Sequence, residues 1–294
     1  GSDIPRVDSP MNSPLVIVNR LPHRLAIRVL RYMRRLPIFP VFILSLLVFT
    51  GVLSPWISPH NPEVGNLRER NTPPAWESEG SVTYFLGTDH LGRDILSRII
   101  HGARISLIVA TVTLVIGGSI GTIFGLWAGW YGGWVDEAIM RLVDVKMALP
   151  TILVALVLVV SLGPSFNVLV AVIAITIWPR FARMARGEAL DLKTRDYVAL
   201  AQVAGASSYR IILKHLFPGI VNTLIVVASL EVGVVILLEA TLSFLGAGIP
   251  PPAPAWGSMV AEGRDRVATA WWISTMPGLA IMLTVMSLNL LGDW

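Results

Sequence analysis

Long apolar stretches alternate with polar loops along this chain, and their lengths predict helices that cross a membrane. A crossing needs roughly 20 mostly apolar residues. Six stretches approach or exceed that length, at 37–57, 104–130, 146–163, 165–182, 219–245 and 271–291. A Gly-Pro-Ser turn at 163–165 separates the third from the fourth and predicts a hairpin. Because lipid cannot satisfy an open strand edge, we expect all six to be helices.

Composition supports the same class of protein. The 294 residues are 54% hydrophobic and 14% charged, with a mean hydropathy of +0.67. These values exclude an ordinary soluble domain and predict an all-α membrane protein with six transmembrane helices. The chain has no cysteine, which excludes disulfides and thiolate metal sites.

The basic residues predict the orientation of the spans. They are concentrated before the first span and in the loop at 183–218, whereas the loops at 58–100 and 246–270 are balanced or acidic. The two basic groups are Arg20, Arg24, Arg28, Arg31, Arg34 and Arg35, and Arg183, Arg186, Lys193, Arg195, Arg210 and Lys214. Since basic loops stay in the cytoplasm, we expect both termini there.

The ends of the chain and its first loop divide it into segments. Residues 1–10 are expected to be an appended remnant with Met11 as the native start, and Trp294 leaves a further tail open. Arginines on one face of 11–36 predict a basic interfacial helix on the cytoplasmic side, although an ordinary basic tail is the alternative. An extracytoplasmic loop is expected at 58–103, followed by a core with five transmembrane helices at 104–294.

The second span carries four glycines at intervals of four residues: Gly117, Gly121, Gly125 and Gly129. On a helix they form a smooth stripe that allows another backbone to approach closely. The stripe predicts close helix packing, and the sequence leaves open whether the neighbour belongs to this chain or to another.

Several kinds of chemistry are missing from the sequence. No lysine follows a glycine, so there is no Walker A loop for ATP. The stretch GGSIG at 117–121 matches a nucleophile pattern, but it lies inside an apolar helix rather than in a strand-turn-helix. The five histidines show no spacing of metal ligands. We therefore predict no catalytic site, no metal site and no cofactor bound by this chain.

The stretch DYVALAQVAGASSYRIILKHLFPG, at 196–219, is neither apolar enough to stay in lipid nor polar enough for a plain linker. It predicts a helix at 196–204, a break at Gly205 and a second helix at 209–217. Ser207 or Ser208 would cap the second helix and Pro218 would end it. Two short amphipathic helices on the cytoplasmic face are expected, and a surface or re-entrant loop without a partner is the alternative.

The spacing of Ala199, Ala201, Gly205 and Pro218 resembles the EAA loop of binding-protein-dependent ABC import permeases. Ala199 replaces the usual Glu, His215 the usual Ile and Phe217 the usual Leu. Residues 86–107 (LGTDHLGRDILSRIIHGARISL) and 239–264 (EATLSFLGAGIPPPAPAWGSMVAEGR) are similar to blocks of the branch that handles peptides and nickel. The resemblance is to the C-type permease of dipeptide and oligopeptide importers.

The resemblance implies a type I ABC importer permease with six spans, a cytoplasmic coupling helix and a sizeable outer loop. Such a chain forms half of a translocation pathway in the bacterial inner membrane. Its implied partners are a homologous B-type permease, two ATPase subunits that bind ATP and Mg, an extracytoplasmic binding protein and membrane lipid, with no nucleic acid. The substrate stays open among dipeptides, longer peptides, glutathione and nickel chelates.

The resemblance also assigns ATPase coupling to the loop. The residues concerned are Tyr197, Ala199, Ala201, Gly205, Ser207, Tyr209, Arg210, Ile212, Lys214, Leu216 and Pro218. Tyr209, Ile212 and Leu216 are the expected apolar anchors, with Arg210 and Lys214 as charges at the rim. Packing against the chain's own helices is the alternative for each of them.

Two acids, Glu231 and Glu239, lie within the fifth predicted span. A charge in lipid is costly unless it faces protein or water. The two are therefore expected either to line the substrate pathway or to fix helix packing through an ion pair or hydrogen bond. Because secondary transporters use acids within the membrane, a gradient-driven transporter is an alternative function. A membrane anchor protein without a pathway is a second alternative.

Overall fold

Helices make up most of the described chain. The computed structural model describes residues 37–293, so the remnant expected at 1–10 and the interfacial helix expected at 11–36 lie outside the described residues. The helices are α1 (Ile38–Ile57), α2 (Ile95–Tyr131), α3 (Gly133–Ala148), α4 (Thr151–Leu162), α5 (Phe166–Lys193), α6 (Asp196–Val203), α7 (Ser208–Ile211), α8 (Phe217–Phe244), α9 (Trp256–Gly263) and α10 (Trp272–Asp293). Pairing of the β type in this range is limited to an isolated bridge between Thr88 and Asp94.

The predicted all-α membrane fold is confirmed. Within residues 37–293, five helical stretches are long and apolar enough to cross a membrane, and α3 with α4 supplies a sixth crossing if the bent pair counts as one. The second span begins at Ile95 rather than 104, because the side chain of Asp94 caps the helix by accepting from Ser97 N. The loop expected at 58–103 therefore ends at Asp94.

The third crossing departs most from the expected pattern. The region 131–145 lies between the second and third expected spans, but α3 fills it and meets α4 at 91°. Pro150 causes the break, since a residue that precedes proline is driven out of the helical region, and Leu149 is extended with ψ 138°. With 12 residues, α4 is about 18 Å long and cannot cross about 30 Å of hydrocarbon alone.

The glycine stripe of α2 packs against α5 of the same chain. A Cβ at Gly117 would collide with Ile177, and a Cβ at Gly121 would collide with the carbonyl of Trp178. Gly125 and Gly129 meet the next two turns of α5 in the same way, at Ala182, Ala185 and Ala189. The prediction of close packing is confirmed, and the neighbour left open by the sequence is α5.

Helix α5 also fixes the positions of α8 and α3. It runs antiparallel to α8: Leu192 lies against Gly219, and Oγ1 of Thr223 donates to Glu188 at 3.2 Å. On another side, Arg186 binds Asp136 of α3, and Arg183 binds Asp144 of α3 at 2.9 Å. Three helices are thus arranged around α5.

We expect Gly125→Leu to destabilise the chain because the new side chain would force α2 and α5 apart. Overpacking of this kind costs about 1–3 kcal/mol, or several degrees in Tm. Thermal unfolding of the purified protein measures the effect. Gly187→Leu on α5 is the matched control, since a Cβ there meets nothing within 4 Å. Equal Tm values for the two variants would contradict the packing described.

Candidate functional site

The coupling segment, residues 196–218, folds back on itself at one end of the bundle. Helix α6 ends at Val203, and the chain reverses at Gly205, whose φ of +78° favours glycine. Oγ of Ser207 then accepts from Arg210 N and caps α7. The helix, break and second helix expected from the sequence are present.

Pro218 does not end the second helix, and that prediction is wrong. A π turn at Ile212–Leu216 follows α7 and leads directly into α8, so Ser208–Phe244 is one helical stretch. Phe217 N donates to Ile212 O, five residues back. Pro218 lies in the first turn of α8, where a missing N–H is tolerated, and the wider turn before it leaves room for the ring.

One side of the coupling segment is buried in this chain. Val198 of α6 and the residues Ile211, Ile212, Leu216 and Ile220 form a cluster with Leu126 and Trp130 of α2 and Ala185 and Ala189 of α5. Nζ of Lys193 adds a bond to the carbonyl of Trp130 at 2.6 Å. Ile212 and Leu216, predicted as anchors for an ATPase, instead hold the segment on the bundle because both are buried here.

The other side of the segment exposes apolar side chains at its tip. Tyr209 of α7 is 74% exposed, as the anchor prediction requires. Leu200 and Val203 of α6 are 68% and 88% exposed, and the sequence reasoning missed both. Helix α6 is apolar on both sides, because Val198 is buried against the bundle while Leu200 and Val203 are exposed. We call Leu200, Val203 and Tyr209 the tip patch.

The remaining coupling residues divide by exposure. Tyr197, Ala199, Gly205, Ser207, Arg210, Lys214 and Pro218 are exposed, and Ala201 is half-buried. The ring of Tyr197 lies beside that of His215, with centroids 6.0 Å apart. Arg210 and Lys214 therefore add exposed positive charge to the same segment as the tip patch.

Glu231 is buried and forms an ion pair with α5. Its Oε1 accepts from Arg180 Nη1 at 2.6 Å, while Oε2 is buried without a hydrogen-bond partner. The Arg180 side chain is 52% exposed. The ion pair that the sequence left open for Glu231 is thus formed with Arg180. Arg180 is the member of the pair that solvent can reach.

Glu239 is closed to solvent, two turns further along α8. Its Oε1 accepts from Ser243 Oγ at 2.7 Å, and Oε2 has no partner among the described residues. The hydrogen-bond alternative therefore describes Glu239 in this conformation, and the two acids differ in their access to solvent.

The opposite end of the bundle is held by four charged residues. Asp89 accepts from Arg93 Nε at 2.6 Å and from Arg98 Nη1 at 2.5 Å. Both arginines also reach Oε2 of Glu262 on α9, at 2.8 and 2.7 Å. We call this group the outer cluster. Asp89 and His90 lie close enough to Glu262 to share a cation, but the two arginines already neutralise the carboxylates.

Two indole groups reinforce the outer cluster. Trp256 Nε1 donates to the carbonyl of Ile99 at 2.9 Å, and Trp272 Nε1 donates to that of Thr88 at 3.0 Å. The sequence blocks 86–107 and 239–264 therefore pack against each other. Both blocks were recognised from the sequence, but the pairing of the charged residues within them was not predicted.

The sequence profile described as "Binding-protein-dependent transport system inner membrane component" matches residues 121–294. The chain belongs to this family. As a permease of the family, it is the membrane-spanning component of a binding-protein-dependent transport system. The match contains the coupling segment, the two buried acids and Glu262.

Curated relatives match the permease over most of its length. The di/tripeptide transport system permease protein DppC of Pseudomonas aeruginosa is 41% identical over 248 residues, which cover 84% of this chain and 82% of that protein. The dipeptide transport system permease protein DppC of Escherichia coli K12 is 43% identical, with coverage of 84% and 83%. That of Haemophilus influenzae is 40% identical, with coverage of 86% and 85%.

A solved structure shares the fold of the permease. The MetNI methionine ABC transporter in an inward-facing conformation aligns with a TM-score of 0.56 at 17% identity, covering 68% of this chain and 94% of that one. The expected type I importer architecture is confirmed by this likeness.

We expect Asp89→Asn to destabilise the permease by about 3–5 kcal/mol, because it leaves two buried guanidinium groups with Glu262 alone. Thermal unfolding and protease cleavage within residues 58–94 measure the loss. Asp265→Asn removes a carboxylate from an exposed pair with Arg264 and should change stability by less than about 0.5 kcal/mol. A stable Asp89→Asn protein would show that the outer cluster does not hold this end together.

Proposed function

We propose that this chain is the C-type permease subunit of an ATP-driven importer of peptides. It pairs with a B-type permease to enclose the pathway, and two ATPase subunits supply the energy. An extracytoplasmic binding protein delivers the substrate. The names of the three relatives support peptides as cargo, and the absence of a Walker A loop from the sequence agrees with ATP binding on a partner.

The tip patch is the observation that carries the coupling role. Three large apolar side chains on α6 and α7 are exposed, and the exposed cations Arg210 and Lys214 lie on the same segment. Apolar anchors surrounded by charge are typical of a surface that docks into a protein groove. The α7 helix bears Tyr209 and continues into α8, so force on the patch acts directly on a spanning helix.

The proposed orientation follows from the two ends of α2. With 37 residues, α2 is about 55 Å long, and it separates the outer cluster from the coupling segment. The basic loop at 183–218 favours the cytoplasm for the coupling segment. The outer cluster and the loop at 58–94 then face the binding protein, and both termini are cytoplasmic.

We expect Val203→Asp to release the ATPase subunits from the purified complex, since a carboxylate in the tip patch would have to be buried in the docking groove. Co-purification and ATP-dependent peptide uptake measure the effect. Val82→Asp is the matched control, because Val82 is also 88% exposed but lies in the loop at 58–94. Retention of the ATPases by Val203→Asp, or their equal loss in Val82→Asp, would contradict the proposal.

The remaining alternatives call for different measurements. Uptake that survives ATP depletion would favour a gradient-driven transporter over an ABC importer. Competition of labelled peptide uptake by glutathione or by a nickel chelate would identify those substrates on the same scaffold.

A further inference from the structure

The junction between α3 and α4 brings together three sources of positive potential. Lys146 lies in the last turn of α3, with Nζ 3.5 Å from Oγ1 of Thr151 at the start of α4. Arg180 of α5 lies one helical turn from Arg183, which binds Asp144 two residues before Lys146, so its charge acts on Lys146. The third source is the N-terminus of α4, whose first N–H groups lack helical partners and which no side chain caps.

The charges around this junction do not balance. Arg180 is paired with Glu231, and Arg183 is paired with Asp144. Within residues 37–293, Lys146 has no carboxylate at salt-bridge distance, and its contact with Thr151 is with a hydroxyl. The junction therefore carries a net positive charge, to which the α4 terminus adds.

The junction lies deep in the bundle and yet is accessible. Glu231 is about 18 Å along α8 from Gly219, at 1.5 Å per residue. Its partner Arg180 is half-exposed at that depth, and a charge in such a place faces water or protein rather than lipid. The pair of Arg180 and Glu231 is neutral overall, so the excess positive charge of the junction is that of Lys146.

We propose that Lys146, Arg180 and the N-terminus of α4 bind the terminal carboxylate of the peptide during its passage. The inference rests on the proposed function, which makes peptides the cargo. Broken membrane helices in transporters direct their N-termini at anionic substrate groups in this way. Every peptide has a terminal carboxylate whatever its side chains, so binding at this site would not depend on the amino-acid sequence of the peptide. The groove of about 940 Å³ between α2 and α8 is lined mainly by apolar residues and offers no such charge.

A labelling experiment tests the site without transport. The chain has three lysines, so Lys193 and Lys214 serve as internal references for acetylation of Lys146 by acetic anhydride. In the assembled importer, N-acetyl-trialanine should slow labelling of Lys146 several-fold and leave the references unchanged. N-acetyl-trialanine amide, which lacks the terminal carboxylate, should give no protection. Unchanged labelling of Lys146, or equal protection by the amide, overturns the proposal.

Transport in vesicles gives a second readout. We expect Lys146→Gln to lower ATP-dependent uptake of trialanine about tenfold, the loss of one charge-assisted hydrogen bond. Lys146→Arg should retain uptake. Hydrolysis of ATP without peptide should not change. Arg141→Gln is the matched control, because it removes an exposed cation from the same helix.

Two further outcomes separate this inference from its rivals. The first is that Lys146→Gln lowers uptake in vesicles of phosphatidylcholine with phosphatidylglycerol and leaves it unchanged in vesicles of phosphatidylcholine alone. That result assigns the site to a lipid headgroup and overturns the proposal. Wild-type importer that takes up no peptide contradicts the proposed function instead, and the protection of Lys146 then decides separately whether the junction binds a carboxylate.

Discussion

The close contact between α2 and α5 is the constraint on which the rest of the bundle depends. In lipid, apolar side chains gain nothing by leaving their surroundings, so helices associate through packing that small residues permit. Gly117 to Gly129 provide that contact over about three turns. Once α5 is fixed, its other sides determine where α3 and α8 can lie.

The two ends of the bundle are stabilised by different forces. Paired charges and indole hydrogen bonds hold the loop at 58–94 against α9, with Asp89 and Arg98 almost fully buried. The coupling segment is held by apolar contacts on one side and leaves the tip patch uncovered. A buried ionic group resists separation because each charge would be left without a partner. The coupling end is therefore the one that can adapt to the ATPase partner proposed above.

Much of this fold could be predicted from the sequence, because membrane spans are set by length and hydropathy. The glycine stripe and the helix break at Gly205 could also be predicted, since each depends on residues that are close together in the sequence. The role of Pro150 was not, because the apolar run continues through it and hides a 91° bend. Pro218 was predicted to end a helix, as proline usually does. A π turn before it instead lets the helix continue.

The candidate site shows the same division. The sequence located the coupling segment, but it could not tell which face of α6 would be covered, because that depends on where α2 and α5 lie. Leu200 and Val203 were therefore missed, and Ile212 and Leu216 were placed on the wrong side. Likewise, nothing in the chain order connects Arg180 with Glu231 or Asp89 with Glu262, since these pairs form only when distant helices meet.

The unbroken path from Ser208 to Phe244 has a geometric consequence. A stiff rod that pivots near its centre moves its two ends in opposite directions, and the centre of this one is residue 226, about 8 Å along the axis from Glu231. Pulling on Tyr209 would thus narrow one mouth of the bundle as it widens the other. Opening on one side and closure on the other become a single movement that requires no relay between them.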